Sequence, residues 1–225
     1  MVIDGSNAGK FMSFSPLEPL SNLPHMLTPV AYTSDEYRGT LDFLCGECLY
    51  REEQQMISPK IVVMIDEVVN LLSPGREGQQ IAENIVLLLQ RGPAVGIHLV
   101  LTTSDPQAEQ LNNTFRLSLP ARLVGRVNDS TQAIAAANMP GIQAEYLLGQ
   151  GDFLAVMDGV TTHFQAAYVG EYDLQLALDA LQRQRPQPLL AQPVPVNRLS
   201  INPEKSFIDQ TQMFTTTTTG IEFSS

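Results

Sequence analysis

The sequence predicts an α/β fold built on a mainly parallel sheet. Three observations carry that expectation. Ile61–Ile65 is an unbroken apolar run that ends in Asp66-Glu67, as in a strand buried on both faces. Ile97–Thr102 is a second run of apolar and β-branched residues. Between them Ile81, Ile85, Leu88 and Leu89 fall at helical spacing. Strand, helix and strand in that order are the unit of a parallel sheet.

The remaining elements follow in chain order. Met-Val-Ile-Asp at residues 1–4 is short and apolar and ends in an acid before Gly5, so it reads as a buried strand end. Residues 13–28 are rich in Pro, Ser and Leu and read as loop. Thr33-Ser34-Asp35-Glu36 is a helix-start cluster, followed by Leu41, Leu44, Cys45, Cys48 and Leu49. Gly92-Pro93 ends the helix that carries Ile85. Residues 112–119 lead into a strand over 121–127, and short helices are expected over 130–137 and 142–147. Residues 152–169 read as a hairpin turning at Asp158-Gly159, because Asp-Gly suits a type I′ turn. Residues 172–183 form a last helix with Leu174, Leu178 and Leu181 on one face. From Pro186 the composition changes to scattered prolines and the Thr215–Thr219 run, which predicts a disordered tail over 186–225 after a domain over 1–185.

Composition bounds the function. Hydrophobic residues are 44% of the 225, enough for a sizeable core, so disorder throughout is excluded. The longest apolar runs are far short of the ~18–20 residues that span a bilayer, and no signal peptide opens the chain; a cytoplasmic location is expected. The net charge of −11 is opposite to that of a protein binding nucleic acid by bulk charge, so any such contact must be local. Arg116, Arg122 and Arg126 are the densest basic cluster.

Asp66-Glu67 is the strongest single motif. Open α/β sheets bind ligands at the C-terminal ends of their strands, and a strand ending in paired acids delivers them there. In P-loop ATPases the first acid holds Mg²⁺ through water and the next polarises the attacking water. Cys45-Gly46-Glu47-Cys48 is a lone C-x-x-C. A zinc site needs two further ligands, and His25, His98 and His163 sit in unrelated segments, so two thiols on a buried helix face are expected. His98 beside a strand run is read as structural.

In order and spacing, the acid pair, Ala94-Val95-Gly96-Ile97-His98-Leu99, Leu119-Pro120-Ala121-Arg122 and Leu147-Leu148-Gly149-Gln150-Gly151-Asp152 resemble the motor domain of the FtsK/SpoIIIE family of hexameric DNA translocases. The opening Val-Ile-Asp and Leu23-Pro24-His25-Met26-Leu27-Thr28-Pro29-Val30 are similar to the segment after that family's P-loop helix. The resemblance runs through Arg183. It implies a RecA-like P-loop NTPase core, incomplete at its N-terminus, with a C-terminal β-hairpin and helix. It also implies ATP and Mg²⁺ as cofactors, double-stranded DNA as partner and a homo-oligomeric, hexameric ring. Carried over by position, Asp66 is the metal-side acid and Glu67 the catalytic acid. Thr103 is the Thr of the family's Thr-Gln-Arg-Pro sensor, and Arg116 and Arg122 fall at basic positions expected to face DNA.

The chain departs from the pattern in several places. Ser104-Asp105 replaces Gln-Arg, and Pro93 stands where a basic residue precedes Ala-x-Gly-Ile-His. Asn128-Asp129-Ser130-Thr131 is shorter than the family's segment there and lacks its Arg. No G-x-x-x-x-G-K-[ST] occurs. Gly5-Ser6-Asn7-Ala8-Gly9-Lys10 has one residue too few between its glycines and Phe11 where a hydroxyl must follow, so it reads as a surface turn. The expected activity is therefore that of a translocase motor subunit, as a fragment or degenerate form. The alternatives are a non-catalytic scaffold or ring partner and a motor of conjugation or secretion. Without the P-loop strand, its neighbours are expected to expose their edges or pair with each other. The same resemblance allows membrane association only through a region upstream.

Overall fold

The structure, a computed structural model, describes residues 1–7 and 15–183. The tail expected over 186–225 and the Ala8–Lys10 half of the glycine-containing turn lie outside the described residues.

Strand β1 (Val2–Asp4) pairs in parallel with β2 (Ile61–Asp66), and β2 with β3 (Ile97–Leu101). The register sets Asp4 beside Asp66, and Ile65 beside Leu101. Helix α1 (Ser34–Gln54) starts where the sequence places it. Glu36 Oε2 accepts the N–H groups of Tyr32 (3.1 Å) and Thr33 (3.0 Å), closing the first turn. A short helix α2 (Val68–Leu71) follows β2 directly, and α3 (Arg76–Arg91) returns to β3 through a 3₁₀ turn at Gly92–Val95.

Strand residues alternate between faces. Ile3, Val63, Ile65 and Ile97 point into one core with Leu41, Leu44 and Cys48 of α1 and Ile81, Ile85 and Leu88 of α3. Arg51 is buried at the end of this layer, donating to the carbonyls of Pro59 (2.7 Å) and Val95 (3.1 Å) and to Glu47 (2.7 Å). The other face corrects the expectation of a strand buried on both sides. Val62, Met64 and Val100 are 45%, 50% and 48% exposed. An apolar run reports that both faces are written for burial; no described element packs on the second one.

The rest of the chain forms a second sheet. After α4 (Asn113–Leu117), β4 (Ala121–Val124) pairs antiparallel with β5 (Asp152–Met157), and β5 with β6 (Val160–Gln165). The hairpin turn is as expected, with Asp158 and Gly159 at φ 51° and 75°. Helix α5 (Ser130–Ala137) covers one face through Ala133 and Ala137, with Val124, Ile142, Ala144 and Val156. The helix expected over 142–147 is only a 3₁₀ turn at Ala144–Tyr146. In α6 (Glu171–Arg183) Leu178 is buried and Leu174 is exposed. Among the described residues β3 and β4 do not pair with each other; each ends a separate three-stranded sheet.

Candidate functional site

The C-terminal ends of β1, β2 and β3 bring Asp4, Asp66 and Thr102 side by side. Asp66 Oδ1 accepts the Thr102 hydroxyl at 2.6 Å. Glu67 begins the turn into α2 in the left-handed region (φ 47°, ψ 57°), a conformation that a residue with a β-carbon adopts at a cost and that recurs at functional sites. Its N–H donates to Thr102 Oγ1 (3.1 Å), and its Oε2 accepts both the amide (3.0 Å) and the hydroxyl (3.1 Å) of Ser104. Gly5 lies against this turn so closely that a β-carbon would sit 2.5 Å from the Asp66 carbonyl oxygen and 2.6 Å from that of Glu67. Asn70 Nδ2 donates to the Gly5 carbonyl (3.1 Å), tying α2 to the same point. Asp4 is fully buried and accepts the amide of Ser6 (2.9 Å) and the hydroxyls of Ser6 and Ser15.

The acids are together as expected, but the threonine that meets them is not the expected one. Thr103 bonds locally, accepting the Asp105 N–H at 3.1 Å. Thr102 is the residue on Asp66. The signal for this was in the strand period: Leu101 faces the core, so Thr102 shares the face of Val100 and, across the register, of Asp66. Ser104 does what a sequence comparison missed. It stands where the family carries Gln, yet it engages the second acid.

Arg116 and Arg122 are a second correction. Arg116 donates to the carbonyls of Leu111 (2.6 Å), Ala135 (2.8 Å) and Pro106 (2.7 Å). Arg122 donates to those of Ala136 (3.1 Å) and Arg116. Both guanidiniums thus turn inward onto the last turn of α5, where the helix dipole favours a cation. Neither is presented to solvent as a DNA-facing side chain would be. Burial, and then the Arg116 charge beside it, pull the Arg122 pKa below its usual value. Arg126 is exposed.

The Leu-Leu-Gly-Gln-Gly-Asp stretch is a fastened loop. Gly149, Gln150 and Gly151 all have positive φ, and Asp152 closes the loop by accepting the Leu148 N–H (2.8 Å) and pairing with His163. The Leu148 amide and the histidine hold the Asp152 carboxyl below its ordinary range. His163 is the histidine with a defined polar role that the sequence did not indicate. The two cysteines pack as expected without a metal set: Cys48 is buried, Cys45 is half-buried, and burial, with Asp42 and Cys48 nearby, pushes the Cys45 thiol up to about 12. Among the described residues no three or more His, Cys, Asp or Glu side chains group to hold a metal.

Comparison with known proteins gives the relationship. DNA translocase FtsK of Chlamydia pneumoniae is 29% identical over 192 residues, covering 72% of this chain and 23% of that protein. The protein of the same name from Chlamydia trachomatis serovar D is 30% identical over 192 residues, covering 72% and 24%. The chain belongs to the FtsK/SpoIIIE family. It spans about a quarter of the length of these relatives. No family model matches it. Among solved structures, the pCW3 conjugation coupling protein TcpA superposes with a TM-score of 0.60 at 17% identity, over 82% of this chain and 56% of TcpA. The cytoplasmic domain of the Thermomonospora curvata type VII secretion ATPase EccC gives 0.59 at 18%, over 83% and 24%. These likenesses establish the RecA-like α/β fold. Among the described residues no helix is long and apolar enough to cross a membrane.

Proposed function

We propose that residues 1–185 supply the acid and sensor half of an FtsK/SpoIIIE-type motor ATPase, whose activity is ATP-driven movement of double-stranded DNA by a homo-oligomeric ring. One observation carries the reading: two acids at the end of a parallel strand, both held by the end of the neighbouring strand. Asp66 and Glu67 are hard oxygen donors suited to Mg²⁺, which keeps most of its waters and takes one or two carboxylates. With no group of three ligands present, Asp66 fits the metal's water shell rather than a protein cage. Bound Mg²⁺-ATP would supply the phosphoryl group and the charge neutralisation. Glu67 would orient the attacking water and accept its proton.

The phosphate cradle is the missing partner. The chain has no G-x-x-x-x-G-K-[ST], and the open face of Val62, Met64 and Val100 leads up to Asp66. A strand, loop and helix covering that face would end beside the acids. The test uses the chain joined to such a segment. Glu67→Gln is expected to abolish hydrolysis while ATP still binds, and duplex DNA is expected to raise turnover. Unchanged turnover in Glu67→Gln removes the role of Glu67.

A second reading, a non-catalytic ring partner or scaffold, is favoured by the same missing loop and the net charge of −11. Failure of the joined chain to hydrolyse ATP supports it. The inward-turned Arg116 and Arg122 weaken the case for DNA as cargo and favour a conjugation or secretion motor. Hydrolysis insensitive to duplex DNA decides for that cargo.

A further inference from the structure

The segment after β3 holds two hydroxyl side chains that the expected sensor motif leaves without a task. Thr102 Oγ1 donates to Asp66 Oδ1 (2.6 Å) and accepts the Glu67 N–H (3.1 Å). Ser104 sends its amide (3.0 Å) and its hydroxyl (3.1 Å) to one oxygen of Glu67, Oε2. Four bonds from one strand end converge on two adjacent acids. The platform that carries them is pinned on both sides: the Thr102 amide donates to the Ile65 carbonyl (3.0 Å), and the Thr102 carbonyl accepts the Val68 N–H (2.9 Å). Glu67 is meanwhile held in the left-handed backbone region, which aims its side chain at Ser104.

We infer that Thr102 and Ser104 are positioning residues that decide which oxygen of each acid is available for chemistry. Asp66 Oδ1 and Glu67 Oε2 are committed to the clamp. Asp66 Oδ2 and Glu67 Oε1 accept no hydrogen bond among the described residues. This rests on the reading of Asp66 and Glu67 given above: Oε1 is then the oxygen that takes the proton of water, and Oδ2 the one that meets the metal's water shell. Two departures from the family's Thr-Gln-Arg-Pro motif thereby acquire a task. The polar group after Thr103 acts on the acid, and Thr102 acts on both acids.

The experiment is residue-resolved amide hydrogen exchange on the full chain without nucleotide. Glu67→Ala is expected to speed exchange of the Ser104 amide about tenfold, the loss expected for one hydrogen bond to a charged acceptor. Thr102→Val is expected to speed exchange of the Glu67 amide by a similar factor, and Thr102→Ser to restore it. If Thr102→Val does not fold, Glu67→Ala and Thr102→Ser still decide. An unchanged Ser104 amide in Glu67→Ala overturns the inference. So does acceleration spread evenly along β3, which reports general loosening. Because exchange is read without nucleotide, an intact clamp in a joined chain that fails the hydrolysis test refutes the reading of the site and not the clamp.

Discussion

Replacing Arg116 by Met removes a cation that joins three chain segments and keeps most of its apolar bulk. The guanidinium makes three bonds, to Leu111, Ala135 and Pro106, all between 2.6 and 2.8 Å. Bonds from a charged donor contribute about 1.5–3 kcal/mol each. The site is only half-buried, so the released carbonyls regain water, and relief of repulsion with Arg122 offsets a further part. A net loss of about 2–4 kcal/mol remains. The assay is urea unfolding of the full chain followed by far-ultraviolet circular dichroism. With a slope of ~2 kcal/mol per molar urea, the midpoint falls by about 1–2 M. Arg116→Lys falls between, because one ammonium cannot span three carbonyls. Arg38→Ala, which breaks the exposed pair with Glu77, is the control and moves the midpoint by less than about 0.3 M. A shift that small in Arg116→Met refutes the inward role and returns Arg116 to the solvent-facing role that the sequence suggested.

Two other outcomes follow from the fold. Burial raises the Glu36 carboxyl pKa, but the N–H groups of Thr33 and Tyr32 outweigh it and hold the group below its ordinary 4.5. Its contribution is therefore complete above that pH and is lost as the pH falls through the depressed folded value. Unfolding midpoints of wild type and Glu36→Gln should differ at pH 7 and converge on acidification; a constant difference contradicts the assignment. On β2, Val63→Ser should cost ~3 kcal/mol or more, while Met64→Ser, on the open face, should cost under ~1 kcal/mol. Equal losses in thermal melts would mean that both faces are covered.

What the sequence disclosed was governed by how local the cause is. The start of α1 was legible because Thr33 to Glu36 close their own turn, and the 158–159 turn because Asp-Gly accepts two positive φ values in succession. The acid pair was legible because the strand that aims it is a continuous apolar run. Thr102 was recoverable from strand parity, but matching by motif pointed one residue further on. The inward turn of Arg116 and Arg122 depends on where the carbonyls of α5 come to lie, a tertiary fact with no local trace. The exposure of Val62 and Met64 was hidden for another reason: composition records what a face is suited to touch, not whether anything touches it.

The division into two sheets also sorts the chain by the length of loop each pairing must close. The β5–β6 pairing closes over two residues, Asp158 and Gly159, whereas the β1–β2 pairing brings Val2 to Met64. Closure entropy rises with loop length, and non-local parallel pairings form slowly. The part of the chain that carries the acids is thus made first on the ribosome but is the slower to assemble. The later hairpin can close as soon as it emerges. The candidate site is the last thing the fold completes, since it exists only when three distant strand ends have come into register.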